Sequence, residues 1–164
     1  MTVRRAVVED ASAIAAVHVG TWQAAYAHVF GAERLAGLDV ARRAGFWREW
    51  IGGGRANVFV AEEEGRVVAF ASVGANEHEP ELGELYAIYA LPEAWGTGAG
   101  PALMAAALDA LREAGFAEAI LWVLSDNPRA RRFYEREGWT ADGAEREDEL
   151  LGIAVAETRY RIEL

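Results

Sequence analysis

The chain has 164 residues, 52% apolar and 26% charged, a composition that fits one globular domain with a sizeable core. Sixteen basic against twenty-six acidic residues give a formal net charge of −10, which repels nucleic-acid phosphate, and no basic stripe interleaved with aromatics offsets it. Cysteine is absent, which excludes disulfides, thiolate metal sites and cysteine nucleophiles, and His18, His28 and His78 lack the close pairing of a zinc site, so no metal is expected.

The N-terminal MTVRRAVVEDA contains no long apolar core and no cleavage-like segment. No apolar run approaches the ~20 residues that span a bilayer, so the chain reads as cytoplasmic and without a membrane partner. Val3–Val8 predicts a first strand, and Asp10 is placed to cap the helix that follows. Along that helix His18, Trp22 and Tyr26 lie at i, i+4 and i+8 and form an aromatic stripe. Core packing and the wall of an acceptor pocket both account for it. Phe30–Ile51 continues mostly helical, with breaks near Gly31 and Gly37, until Gly52–Gly54 ends the region.

From Asn57 the period becomes that of strands. Val58–Val60 leads to Glu62–Glu64, Gly65 turns the chain, and Arg66–Val73 returns as a hairpin partner. Asn76–Glu81 is a polar loop rich in glutamate. Leu82–Leu91 is the next strand, followed by a glycine turn and a helix from about Gly100 to Ala114, with Pro101 suited to its first turn. Ala119–Leu124 reads as a buried strand. Ser125–Asn127 marks a loop and cap, Pro128–Glu137 a helix stopped by Gly138, and Trp139–Glu145 and Ile153–Ile162 two last strands. A helix between Leu82–Leu91 and Ala119–Leu124 implies a right-handed parallel crossover, whereas the preceding strands form an antiparallel meander. The expected fold is thus a mixed α/β, mostly antiparallel sheet of about seven strands flanked by about four helices, in a single domain over residues 1–164.

The turn Trp95-Gly96-Thr97-Gly98-Ala99-Gly100 stands between a strand and a helix. Glycines there let a ligand approach the backbone, and the unpaired amides of the helix start favour a phosphate or pyrophosphate. A nucleotide P-loop fails, because Gly100 is followed by Pro101 and Ala102 instead of lysine and a hydroxyl residue. The dinucleotide fingerprint fails on glycine spacing. A methyl-donor fold would accept G-x-G-x-G, but three antiparallel strands precede the turn and too little chain follows it; it stays as an outside alternative.

A further reading fits best. Residues 84–139 resemble the acyl-CoA-binding core of the GCN5-related N-acetyltransferase (GNAT) family, whose loop runs Arg/Gln-x-x-Gly-x-Gly/Ala. Gly98 and Gly100 match that pattern, and Trp95 does not. Downstream, Asn127, Ala130, the Phe133-Tyr134 pair and Gly138-Trp139 resemble the family's second signature. The resemblance implies an acyl-CoA-binding core over about 82–140.

The resemblance implies acetyl-CoA as cosubstrate and direct acetyl transfer to a primary amine, on a small molecule or a peptide, in a ternary complex. It implies that the backbone of Ile88, Tyr89 and Ala90 meets the acetyl and pantetheine portion, through a bulge that splays this strand from the next. It further implies that amides across Gly96, Thr97, Gly98, Ala99 and Gly100, with Ala102, hold the pyrophosphate, that Trp95 leaves this anchoring to the backbone, and that Asn127 and Ala130 adjoin the pantetheine arm. Tyr134 is implied as general acid for the departing thiolate, against the alternative of a packing tyrosine. Glu84 resembles the general base of several members, against an ordinary strand-end carboxylate. Arg129, Arg131 and Arg132 either approach the cofactor phosphates or form a solvated face. Trp22 and Tyr26 are candidates to line the acceptor pocket, and apolar residues on the last strands allow a homodimer. A non-catalytic acyl-CoA-binding module on the same fold is the alternative reading.

Overall fold

The computed structural model describes residues 1–164. The chain runs through β1 (Thr2–Arg5), α1 (Ala11–Ala25), α2 (Ala27–Phe30), α3 (Ala32–Ala36), α4 (Val40–Gly52), β2 (Ala56–Glu63), β3 (Arg66–Ala75), β4 (Gly83–Ala90), α5 (Ala99–Glu113), β5 (Glu118–Leu124), α6 (Pro128–Arg136), β6 (Thr140–Leu150) and β7 (Ile153–Glu163). The strands form one sheet in the order β1-β2-β3-β4-β5-β7-β6, with β4–β5 its single parallel pair. The expected mixed, mostly antiparallel seven-stranded sheet is therefore present. No helix is long and apolar enough to cross a membrane.

Six α-helices replace the four expected. The surplus lies in the segment read as mostly helical, where Gly31 at φ +79° separates α2 from α3, and Asp39 in an extended conformation caps α4 through the Arg42 amide. The first strand is shorter than Val3–Val8, because Val8–Asp10 forms a 3-10 turn and leaves Val7 and Val8 exposed. Asp10 does precede α1, but its backbone is already helical and its carboxylate does not reach the amides of that helix. It accepts instead from the Val7 amide and from Arg4, which also pairs with Glu62 and pins β1 to β2. Trp139 lies ahead of the sixth strand as a buried residue, and β6 runs on to Leu150.

Side chains on successive strand residues point to opposite faces, and the two cores follow from that alternation. Val58, Val60 and Phe70 join α1 and α4 on one face. Phe59, Ala61 and Leu85 join Leu103, Met104, Leu111 and α6 on the other. Each large apolar side chain buried this way contributes roughly 1.5–3 kcal/mol before chain entropy is subtracted. A third cluster, Trp22, Tyr26, Phe30, Leu35, Leu124 and Val155, joins the first helices to β5 and β7.

Two features of β4 open the sheet at its centre. Its register against β3 shifts between Ala87 and Leu85, so Tyr86 is an extra residue, a β-bulge. Its pairing with β5 is limited to Gly83↔Ala119 and Glu84↔Ile120. Beyond Glu84 the two strands part, and the β4 edge facing β5 has no ladder partner.

A cleft between the parted strands

The gap between β4 and β5 is a cleft of about 620 Å³. β4 contributes Ile88, Tyr89 and Ala90, the glycine turn contributes Trp95, Gly96, Gly98 and Gly100, and α6 with its cap contributes Asn127, Ala130 and Tyr134. Trp22 of α1 and Tyr26, which ends that helix, line it from the other side. Sequence residues separated by more than a hundred positions thus meet in one depression. The side chains of Thr97 and Ala99 do not. Thr97 Oγ1 donates to the Ala94 carbonyl, and Ala99 is fully buried.

The glycine turn is built as an open cradle. Gly96 and Gly98 have φ of +76° and +93°, and a Cβ at either would meet no atom within 4 Å. The space beside them is free for a ligand, while a side chain there would be strained. The amides of Gly96, Gly98, Ala99 and Gly100 donate to no backbone carbonyl, whereas those of Thr97 and Ala102 bond to Ala94 and Gly98. The Ala102 amide is therefore spent within the helix, and four unpaired donors remain at the positive end of α5. Gly100 has a different constraint, since a Cβ there would come within 3.2 Å of the Phe133 ring. It lets α5 and α6 close on each other.

Trp95 occupies the position where the resemblance expects Arg or Gln, and its indole is held by two contacts. Nε1 donates to the Ala90 carbonyl at 2.8 Å, and the Arg129 guanidinium lies 3.4 Å over its ring. A cation therefore stands beside the cradle after all, delivered from α6. Arg129 has no ion-pair partner, and burial holds its pKa below the ordinary value. Arg131 is engaged elsewhere, donating to Tyr160 and to the Ser125 carbonyl.

Asn127 performs the capping expected of it, its Oδ1 accepting from the Ala130 amide at 3.2 Å. Such caps contribute about 1 kcal/mol. Its amide nitrogen donates to Tyr26 Oη at 3.1 Å and so ties α6 to α1 across the cleft. Tyr134 is 8% exposed, and its hydroxyl has no partner in the protein yet is not sealed from solvent, so it opens into the cleft. Burial, reinforced by neighbouring Tyr89, raises its pKa and keeps it protonated at neutral pH.

Glu84 stands where β4 and β5 are still paired and does not line the cleft. Its carboxylate accepts from Asn76 Nδ2 at 3.0 Å, and burial raises its pKa against the lowering effect of that bond. The aromatic stripe is core packing at each position, and Trp22 and Tyr26, buried at 9% and 6%, also border the cleft. His18 is core. Trp47 Nε1 lies 3.4 Å from its Nδ1, its ring stacks on Tyr89, and burial brings its pKa down to about 4.

The sequence reading missed Glu157. It lies on β7, 8% exposed, and lines the cleft. The signal available in the sequence was its phase: Glu157 shares a strand face with Val155, which packs inward.

The acetyltransferase (GNAT) family profile matches residues 22–139. The uncharacterized N-acetyltransferase YuaI of Bacillus subtilis (strain 168) is 40% identical over 131 residues, which cover 78% of this chain and 74% of that one. The ribosomal-protein-alanine N-acetyltransferase of Brucella melitensis superposes with a TM-score of 0.79 at 24% identity, covering 100% of both chains. The PaiA N-acetyltransferase of Thermoplasma acidophilum in complex with coenzyme A superposes with a TM-score of 0.80 at 16% identity, covering 99% of this chain and 98% of that one. The profile spans the strands that part, the glycine cradle and the Asn127–Trp139 segment, and with it this chain belongs to the GNAT acetyltransferase family.

Proposed function

We propose that the chain, as one catalytic unit over residues 1–164, is a cytoplasmic N-acetyltransferase that moves an acetyl group from acetyl-CoA to a primary amine by direct transfer. The observation that carries this reading is the pairing of a cradle of four unpaired amides with an unpartnered tyrosine hydroxyl in the same cleft. The residues present fit a coenzyme A group. The amides of Gly96, Gly98, Ala99 and Gly100 would hold its pyrophosphate, and Arg129 would add a positive charge beside them. The free edge of β4 at Ile88–Ala90 would meet the pantetheine and acetyl portion, with Asn127 and Ala130 opposite. The Ala90 carbonyl already accepts from Trp95 and Thr21, so its amide and the residues before it remain for this purpose. When bound, acetyl-CoA supplies an acetyl group activated as a thioester.

Tyr134 Oη holds its proton at neutral pH and is the acid for the departing sulfur. Glu84 is the base, reaching the amine proton through water, because its carboxylate stands back from the cleft. Its raised pKa brings it toward the range in which a carboxylate takes up a proton near neutrality. Activity is lost as pH falls through that raised value, and Glu84→Gln abolishes this acid limb; an unchanged pH–rate profile removes Glu84 from the role. The apolar aromatic surface of Trp22 and Tyr26 receives the acceptor.

Isothermal titration with acetyl-CoA and CoA, followed by thiol release over a panel of amines, tests the whole reading. Binding with amine-dependent thiol release is the expected result. Binding without release under any amine leaves the non-catalytic module, and no binding overturns the assignment.

A further inference from the structure

Glu157 is a carboxylate held in an apolar cleft with one oxygen left free. Its Oε1 accepts from Arg146 Nε at 2.8 Å, while Oε2 has no hydrogen-bond partner in the protein and is not sealed from solvent. The residue is 8% exposed and belongs to the lining, so the opening available to Oε2 is the cleft. Arg146 does not neutralise the site. Its guanidinium is shared between Glu157 and Asp148, so one positive charge faces two negative ones and a single negative charge remains. Arg146 is also stacked 4.2 Å over the Trp122 ring, which fixes it against the wall and away from a role as a mobile counter-ion.

The surroundings define what would meet this carboxylate. Tyr26 and Tyr89 both feel its charge, and Trp22, Leu124, Trp122 and Leu150 complete an apolar lining on this side of the cleft. The cradle, by contrast, has the unpaired Arg129 stacked on its Trp95. The cleft thus has a cation beside the phosphate-binding amides and a carboxylate among aromatic rings. A buried carboxylate with a free oxygen is stabilised by a cation that donates hydrogen bonds to it.

We propose that Glu157 is the specificity-determining residue of the acceptor subsite, receiving the ammonium of an amine carried on an apolar or aromatic body. This rests on the assignment of the chain as an acetyltransferase. In that reading Glu157 selects and positions the incoming cation, and Glu84 accounts for its deprotonation. Gln at position 157 keeps an oxygen for Arg146 and removes the charge.

The test is equilibrium binding of two probes of nearly the same shape, 2-phenylethylamine and 2-phenylethanol, to wild-type protein and to E157Q. It is read by tryptophan fluorescence and by titration calorimetry, with and without CoA. Wild type is expected to prefer the amine over the alcohol at least tenfold, and E157Q to lose that preference while its affinities for the alcohol and for CoA stay within twofold. Equal binding of amine and alcohol by wild type, including no binding of either, overturns the proposal, as does a preference that survives in E157Q. Loss of CoA affinity in wild type is a separate result and counts against the acetyltransferase reading alone, because the two-probe comparison is also made without CoA.

Discussion

The two sides of the cleft are built on different terms. The side formed by β4, the glycine turn and α6 offers main chain: four free amides, an unpaired strand edge and a capped helix start. The side formed by α1, β7 and the neighbouring aromatics offers side chains, Trp22, Tyr26 and Glu157 among them. Recognition by main chain constrains sequence locally, since an αL turn needs glycine and a cap needs a short polar side chain. Recognition by side chains imposes no local pattern. Its residues acquire meaning only when the fold brings them together.

That difference can be broken or sharpened by substitution. The largest effect is expected at Tyr134, the proposed acid for the departing thiolate on the main-chain side. Tyr134→Phe should lower kcat on the order of a thousandfold, within the range of general acid catalysis, while CoA affinity changes little. Steady-state kinetics beside a CoA titration checks this, and an unaltered kcat makes Tyr134 a packing residue.

Next comes His18, behind the aromatic wall. Its folded pKa of about 4 lies below the ordinary value of 6.5, so the unfolded chain binds the proton first. Its contribution is complete above pH 6.5 and is lost as pH falls toward 4, a change of about 3 kcal/mol across that window. Urea unfolding at several pH values should show this slope, and His18→Phe should flatten it. A slope that persists in the variant assigns it to other groups.

The smallest of these effects is at the turn. Gly98→Ala forces a Cβ onto a backbone at φ +93° and into the cradle. The strain is about 1–2 kcal/mol, and the CoA dissociation constant should rise about tenfold, with amine-probe binding unchanged. If CoA affinity is unaltered, the amides are not the anchor.

How far the sequence disclosed the molecule follows the same division. The chain order of strands and helices, the parallel crossover at β4–β5 and the Asn127 cap follow from local patterns in glycine, proline and alternating apolar residues, whereas the bulge is expected from the family resemblance alone. In the first fifty residues a short strand and a helical region broken near Gly31 and Gly37 are legible, but the division into α1 to α4, with Asp39 capping the last, is not, because apolar content does not mark where each short helix starts. Trp95 read as a missing charge. Arg129 is one of three arginines of α6 read as approaching the phosphates or as solvated, and the stacking contact of 3.4 Å that singles it out has no sequence signature. Glu157 was hidden for the same reason, its significance residing in the cleft on which β7 borders. Of the apolar residues on the last strands that allow a homodimer, Val155, Tyr160 and Ile162 pack against the cores, and the outer strand β6 presents mostly charged side chains.

The parting of β4 from β5 also has a mechanical meaning. Four strands on one side and three on the other are joined through two residue pairs, Gly83↔Ala119 and Glu84↔Ile120, so the sheet is two plates on a narrow hinge. The plates are braced above that hinge by α5 and by the Asn127–Tyr26 bond. A ligand spanning the gap is itself a structural member that stiffens the assembly. Amides of Ile88 and Ala90, which point away from β3, should exchange with solvent readily in the free protein and slow when the gap is filled, while those of Tyr89, β2 and β3, paired within the sheet, should barely respond.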